Sequence, residues 1–264
     1  MTPTQTQGTA LITGASSGIG AIYAHRLASR GFDLLLVARD EQRLEAAATK
    51  LRAEHGVQVE VLKADLTQND DVLKIEQRLR SDSNISLLLN NAGVAADGLL
   101  ANSDMDQLEK LIQLNVTTVT RLASAAAASF AKAGRGTIIN IGSVVALFPE
   151  RFNATYSASK AYVLSLTQSL SAELDGTGVK VQVVLPGVTR TEIWERAGMD
   201  LNQIPADMAM DAGEMVDAAL SGLDQGELVT IPSLPDASEW DAFVSARLVM
   251  APNLSKSKAA SRYK

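Results

Sequence analysis

Residues Thr9-Ala-Leu-Ile-Thr-Gly-Ala-Ser-Ser-Gly-Ile-Gly20 decide how the rest of this chain is read. Thr9 to Thr13 is a short apolar run of strand length, and helical spacing begins at Ile19. Three glycines occupy the turn between them. Gly14 permits a tight reversal, Gly18 a close backbone approach and Gly20 close helix packing. The free amides and positive dipole end of the helix then face an anion such as a pyrophosphate. Gly14, Ser16, Ser17, Gly18, Ile19 and Gly20 are the candidate contacts here. Their spacing, G-x-x-x-G-x-G, differs from the common dinucleotide fingerprint, and its strand-turn-helix setting is what gives it weight.

Outward from this turn, short apolar runs alternate with longer amphipathic stretches. Strands are expected over 9–13, 33–38, 57–63, 85–90, 136–141 and 179–185, and helices over 19–30, 41–55, 70–82, 104–133 and 155–174. Gly31 and Gly56 fall near helix ends, where positive φ costs them little. Uniformly apolar strands such as Leu34-Leu-Leu-Val37 belong in a sheet covered on both faces. Regular alternation therefore predicts one α/β domain over 1–264, a Rossmann-type doubly wound parallel sheet with helices on both faces. The pattern loosens after Pro186. Residues 187–211 are expected to form a substrate loop or lid, and the basic segment 254–264 a mobile tail.

The chain has 264 residues, 46% hydrophobic and 20% charged, with net charge −6. That length suffices for a well-buried α/β core. The acidic balance argues against nucleic acid as main partner. There is no cysteine, which excludes disulfides and thiol catalysis and fits a reducing cytoplasm. No apolar run reaches the ~20 residues that span a bilayer, and the first residues lack a signal core. A cytoplasmic protein with no membrane partner is expected.

Two further patterns carry chemistry. In Tyr156-Ser-Ala-Ser-Lys160 the phenol and the ammonium share one helix face. A nearby positive charge favours phenolate and would lower the tyrosine pKa toward working pH, making it an acid and base. Ser143, after the run 136–142, is placed to bond the same substrate oxygen. The second strand ends Val37-Ala38-Arg39-Asp40. An acidic residue there would bind the ribose hydroxyl of NAD. Ala38 and Arg39 instead suit a 2′-phosphate, so NADP(H) is preferred over NAD(H). Asp40 reads as the N-cap of the next helix. Asp65 is a candidate for the adenine amino group or, equally, a helix N-cap.

These motifs together resemble the short-chain dehydrogenase/reductase family, in its single-domain branch, over roughly Thr9 to Thr191. The resemblance rests on Thr13-Gly-x-x-x-Gly-Ile-Gly20, Asp65-Leu66, Asn90-Asn91-Ala92-Gly93, Asn115, Ser143, Tyr156-x-x-x-Lys160 and Pro186-Gly187. It implies that Tyr156 exchanges a proton with a carbonyl or alcohol oxygen and that Ser143 polarises that oxygen. Lys160 would lower the phenol pKa and bind the nicotinamide ribose. Asn115 would kink its helix and hold a water that links Lys160 to solvent. Asn91, Ala92 and Gly93 would lie against the cofactor, and Leu66, beside Asp65, is a further cofactor contact. Pro186 and Gly187 would close on the nicotinamide, with Val188 following as a cofactor contact. Thr189 is a candidate for the carboxamide or the pyrophosphate, and Thr191 for the pyrophosphate as well.

The implied activity is reversible NADP(H)-dependent reduction of a small or hydrophobic carbonyl. Alternatives are 3-oxoacyl thioester reduction and an NADP(H)-binding redox sensor. Val145, Phe148 and Trp194 are candidate substrate contacts beside Ser143 and Tyr156. Arg151 either meets a carboxylate or faces water, and Met199 belongs with Trp194 in the expected lid. Apolar surplus on helices 104–133 and 155–174 implies, through the resemblance, a homodimer or homotetramer. Tyr162 reads as a packing residue. His25 and His55 lie away from every motif and read as structural or solvated, and no catalytic metal is expected.

Overall fold

The computed structural model describes residues 7–193 and 204–264. Its contacts form two compact units, Met1–Pro232 and Ser233–Lys264. The first unit carries a parallel sheet of seven strands: β1 (Thr9–Thr13), β2 (Asp33–Ala38), β3 (Val59–Lys63), β4 (Ile85–Asn90), β5 (Gly136–Ile141), β6 (Val179–Val184) and β7 (Val229–Thr230). Their spatial order is β3-β2-β1-β4-β5-β6-β7. The chain winds outward from β1 and then returns to place β4 against β1, so the order reverses between these two strands. In such sheets a ligand crevice opens beyond the carboxyl ends at that reversal.

Helices α1 (Gly18–Ser29), α2 (Glu41–His55), α3 (Asn69–Ser81), α4 (Met105–Ile112), α5 (Val119–Ala133), α6 (Ala154–Glu173) and α7 (Ala212–Gln225) cover both faces. Period-two alternation sorts the strand side chains. Leu34 and Leu36 meet Tyr23 and Leu27 of α1, Leu44 of α2 and Met215 of α7. Leu35 and Val37 point the other way, to Val72 and Ile75 of α3 and Leu122 of α5. A double-faced core explains why β2 reads as one uninterrupted apolar run.

The doubly wound α/β expectation holds, with three local differences. The helix expected over 104–133 is broken by a π-helical turn at Gln113–Thr118 between α4 and α5. Strand β3 begins at Val59, two residues late. Beyond Leu185 the sequence reading names no element, yet α7 and β7 form. α7 carries recognisable ends, since Asp211 accepts from the Gly213 and Glu214 amides and Gly226 closes the helix in the left-handed region. β7 has two residues, too few to show any period.

The second unit contains α8 (Ala237–Met250), started by the Asp236 carboxylate accepting from the Ser238 amide. The rings of Trp240 and Phe243, three residues apart, have centroids 5.4 Å apart. A helical turn at Ser261–Tyr263 lies within the segment expected as a tail. Among the described residues no helix is long and apolar enough to cross a membrane. Trp194 and Met199 lie outside the described residues.

Candidate active site

The turn after β1 is built as its glycines suggest. Gly14 has φ +67° and Gly18 φ +54°, a region that side chains disfavour. Gly20 is required for a different reason: a Cβ there would overlap the Gly14 carbonyl and the Asn91 amide. Ser17 precedes α1 with no side-chain cap, and the first turn holds no acidic residue. The helix therefore presents uncompensated amides to an anion.

The end of β4 locks this turn in place. Asn91 Nδ2 donates to the carbonyls of Thr13 and Gly14 at 2.9 and 3.2 Å, and the Thr13 hydroxyl accepts from the Asn91 and Ala92 amides. Deeper, Asn90 Nδ2 donates to Asn140 Oδ1, whose own amide donates to Thr167 on α6. Each buried polar group thus finds a partner, and the ladder ties β4 and β5 to the helix that carries Tyr156.

Asn153 starts α6, its side chain accepting from the Thr155 and Tyr156 amides. This cap aims the first turn and sets Tyr156 and Lys160 one turn apart, both buried. The Tyr156 ring packs with Leu111 and Val145. Ser143 ends the segment after β5, where its hydroxyl meets the Pro186 carbonyl at 3.4 Å and the Val145 amide at 3.3 Å. Lys160 Nζ donates to the Ile141 carbonyl at 3.0 Å and lies 5.9 Å from the centre of the Tyr156 ring.

The electrostatics differ from the expectation of a lowered phenol. Burial pushes Tyr156 up to about 12, while the Ser143 hydrogen bond pulls it the other way. Lys160, buried at the cleft wall, is drawn down to about 8 by loss of solvent. A low-dielectric pocket penalises both charged forms, and this outweighs the benefit of sequence proximity. The phenol is therefore protonated at neutral pH in the folded chain.

Asn115 sits in the π-helical turn, fully enclosed. Its Nδ2 donates to the Val94 carbonyl at 2.9 Å and to Ser159 Oγ at 3.2 Å, and its Oδ1 accepts from the Val94 amide at 3.0 Å. Ser159 in turn donates to the Tyr156 carbonyl. Asn115 thus clamps the strand-end loop that carries Gly93. The expected kink is present as this wide turn, a form common at functional sites.

Around these residues lies one cleft of about 720 Å³, of ordinary ligand-site size. Its walls gather Gly14, Ser16, Ser17, Gly18, Ile19, Arg39, Asp65, Leu66, Asn91, Ala92, Gly93, Ser143, Tyr156, Lys160, Pro186, Gly187, Thr189 and Thr191. Gly20, Asn115, Val145 and Val188 stand behind the wall; the Val188 carbonyl is taken by the Met210 amide. Phe148 is exposed on the surface. Asp65 is not a helix N-cap: Gln68 takes that place, and the Asp65 carboxylate accepts from the amide and hydroxyl of Thr67. Tyr162 is no core residue, being half-exposed with its hydroxyl 2.8 Å from Thr120.

Arg43 was not anticipated. It lines the cleft beside Arg39 and reaches Asp40 at 3.4 Å and Glu192, from the segment after β6, at 3.0 Å. Asp40 also caps α2 through the Arg43 amide. The available signal was its place one turn into α2, three residues beyond that cap. The site's cradle fits a dinucleotide: glycine turn, uncapped helix start and two guanidiniums at the far end.

Comparison with known proteins agrees. Residues 8–202 match the model of the short chain dehydrogenase family. A short-chain dehydrogenase from Sphingobium yanoikuyae, solved in complex with NADPH, is 52% identical over 97% of this chain and 100% of its own, with a TM-score of 0.95. A bulky-bulky ketone specific alcohol dehydrogenase from Comamonas testosteroni is 46% identical over 98% of this chain and 99% of its own, with a TM-score of 0.90. Human 17-beta-hydroxysteroid dehydrogenase type 3 is 34% identical over 69% of this chain, which spans 59% of that protein's length. With the sheet, the glycine turn and the tyrosine–lysine helix in the order that such proteins share, this chain belongs to the short-chain dehydrogenase/reductase family of oxidoreductases.

Proposed function

We propose that this chain catalyses reversible hydride exchange between NADP(H) and a bulky, hydrophobic ketone or secondary alcohol. The observation that carries the reading is the convergence of the Ser143 hydroxyl and the buried, protonated Tyr156 on the cleft that the glycine turn opens. When bound, the dinucleotide supplies or accepts the hydride. Tyr156 gives its proton to the substrate oxygen during reduction, Ser143 holds that oxygen, and Lys160 offers a positive charge to the phenolate that forms.

A 2′-phosphate is favoured by Arg39 and Arg43 on the cleft wall, and by Ala38 standing where a carboxylate would repel it. Asp40, on the same wall, is engaged as the α2 cap. Exposed apolar side chains near the start of α6 suit a bulky substrate. Leu99, Leu100 and Phe152 are exposed, and Asn153 Nδ2 donates to the Gly98 carbonyl at 3.0 Å, which draws these two segments together. The relatives' names, for a bulky ketone and a hydroxysteroid, point the same way.

The test follows NADPH consumption over a panel of aryl and alicyclic ketones. Turnover on bulky ketones that disappears in Tyr156→Phe supports the reading. NADPH binding without turnover on any member would favour the sensor alternative. A two-fold assembly through the surfaces of α5 and α6 belongs to the same reading, and light scattering of the purified chain checks it.

A further inference from the structure

The chain's two histidines lie thirty positions apart in sequence, yet the fold brings them together. His25 projects from α1 and His55 is the last residue of α2. Their rings meet edge to face with centroids 4.6 Å apart, and Glu54 lies between them. His25 Nε2 is 3.4 Å from Glu54 Oε2, and His55 Nε2 is 4.0 Å from the same oxygen. One ligand atom from each of the three residues falls within 4.8 Å of the others. We propose that His25, Glu54 and His55 form a binding site for a borderline divalent transition-metal ion of the zinc class, bridging α1 and α2.

Four observations support this. Two imidazoles and a carboxylate are a donor set that suits zinc and its neighbours and suits hard cations poorly. Bonds of about 2.0–2.2 Å around a tetrahedral ion place ligand atoms roughly 3.4 Å apart. One pair is already at that spacing, and side-chain rotation closes the others. His55 Nε2 is buried with no hydrogen-bond partner among the described residues, so this nitrogen is unpaired where the ion would sit. His55 also ends α2, where the helix dipole favours a cation.

The surrounding charges are compatible. Arg26 Nη1 approaches His25 Nδ1 at 3.4 Å, but its guanidinium is held by Asp217 through two bonds of 2.6 and 2.9 Å. Coordination through His25 Nε2 puts the ring proton on Nδ1 and opens the long Arg26 contact. Lys50 stands 3.8 Å from the other Glu54 oxygen and leaves Oε2 to the ion. Both His25 and Glu54 are part-exposed, so water completes the shell.

The site is separate from the active site. Asp40, on the cleft wall, begins α2 and His55 ends it fifteen residues later, about 20 Å along the axis at the usual rise. An ion here would brace two helices and take no part in hydride transfer.

Equilibrium dialysis of chelator-treated, full-length protein against zinc, with magnesium in parallel, tests the proposal. The wild type is expected to retain one zinc per chain, to ignore magnesium, and to melt at higher temperature with zinc. His25→Gln and His55→Gln should each weaken zinc binding by about tenfold or more, while the NADPH-induced thermal shift persists and reports an intact fold. His25→Gln guards against misfolding, because His25 is the more exposed of the two. Equal zinc retention by wild type and variants, equal binding of magnesium, or no zinc bound by the wild type would each overturn the proposal.

Discussion

Lys160 Nζ donates to the carbonyl of Ile141 at 3.0 Å while standing 5.9 Å from the Tyr156 ring, so the ammonium is anchored to the end of β5 before any substrate arrives. The anchor holds a buried charge, and that has a cost. Lys160 is drawn from 10.5 down to about 8. The unfolded chain therefore binds more protons than the folded one between pH 8 and 10.5, and stability rises with pH through that window. Lys160→Met removes the penalty. At pH 7 the variant should be more stable than wild type by about 1–3 kcal/mol, and this gap should close as pH approaches 10. Turnover should fall by about a hundredfold or more. Urea denaturation at pH 7 and 9.5, beside steady-state rates, checks both; a destabilised variant at pH 7 would contradict the buried-charge argument.

Proton transfer should report the same two groups. Tyr156, pushed up to about 12, stays protonated across the working range and can donate during ketone reduction. Lys160 loses its charge as pH rises through about 8, so the phenolate formed in reduction loses its partner. The reductive kcat is expected to be flat below pH 8 and to decline above it. Alcohol oxidation, which needs the phenolate, should instead climb with pH. Rate profiles in both directions decide this, and a reductive rate that increases above pH 8 would refute the assignment.

Cofactor choice is expected to rest on two arginines. Arg39→Asp should weaken NADPH binding by about tenfold or more while leaving NADH binding within a few-fold. Arg43→Ala should show the same direction with a smaller effect, because Arg43 is already shared with Asp40 and Glu192. Titration of each variant with both dinucleotides checks the ratio. Equal losses for the two cofactors would remove the 2′-phosphate from the argument.

Asn115 makes a structural prediction. Replacing it with Leu leaves both the amide and the carbonyl of Val94 without this partner in a part-buried site. The expected loss is about 2–4 kcal/mol, with activity reduced further because Gly93 and Ser159 lose their positions. Asn115→Asp keeps the acceptor and should recover part of the stability. Denaturant midpoints for the two variants separate the clamp from a general packing role, which would make Asp no better than Leu.

Local chemistry explains what was legible beforehand. The glycine turn, the apolar strands and the Tyr156–Lys160 spacing are all written within twenty residues, where backbone sterics and helix periodicity act directly. The Asp40 cap is legible for the same reason. β7 was hidden by its length, and α7 by the loosened pattern around it. Arg43 escaped because its partner Glu192 is 149 positions away, a separation that no local pattern spans.

By itself, then, the sequence determined the order of strands and helices as far as Leu185, the strand-turn-helix form of the glycine turn and the one-turn spacing of Tyr156 and Lys160, since each follows from short-range geometry. Only the tertiary structure decided their electrostatic state and their long-range company. Burial, not proximity to lysine, sets the Tyr156 proton affinity, and desolvation depends on residues contributed by many elements at once. The wide turn at Asn115 forms because its side chain bonds both sides of the Val94 peptide. His25 and His55, unremarkable in sequence, meet because consecutive right-handed crossovers lay α1 and α2 side by side on one face of the sheet.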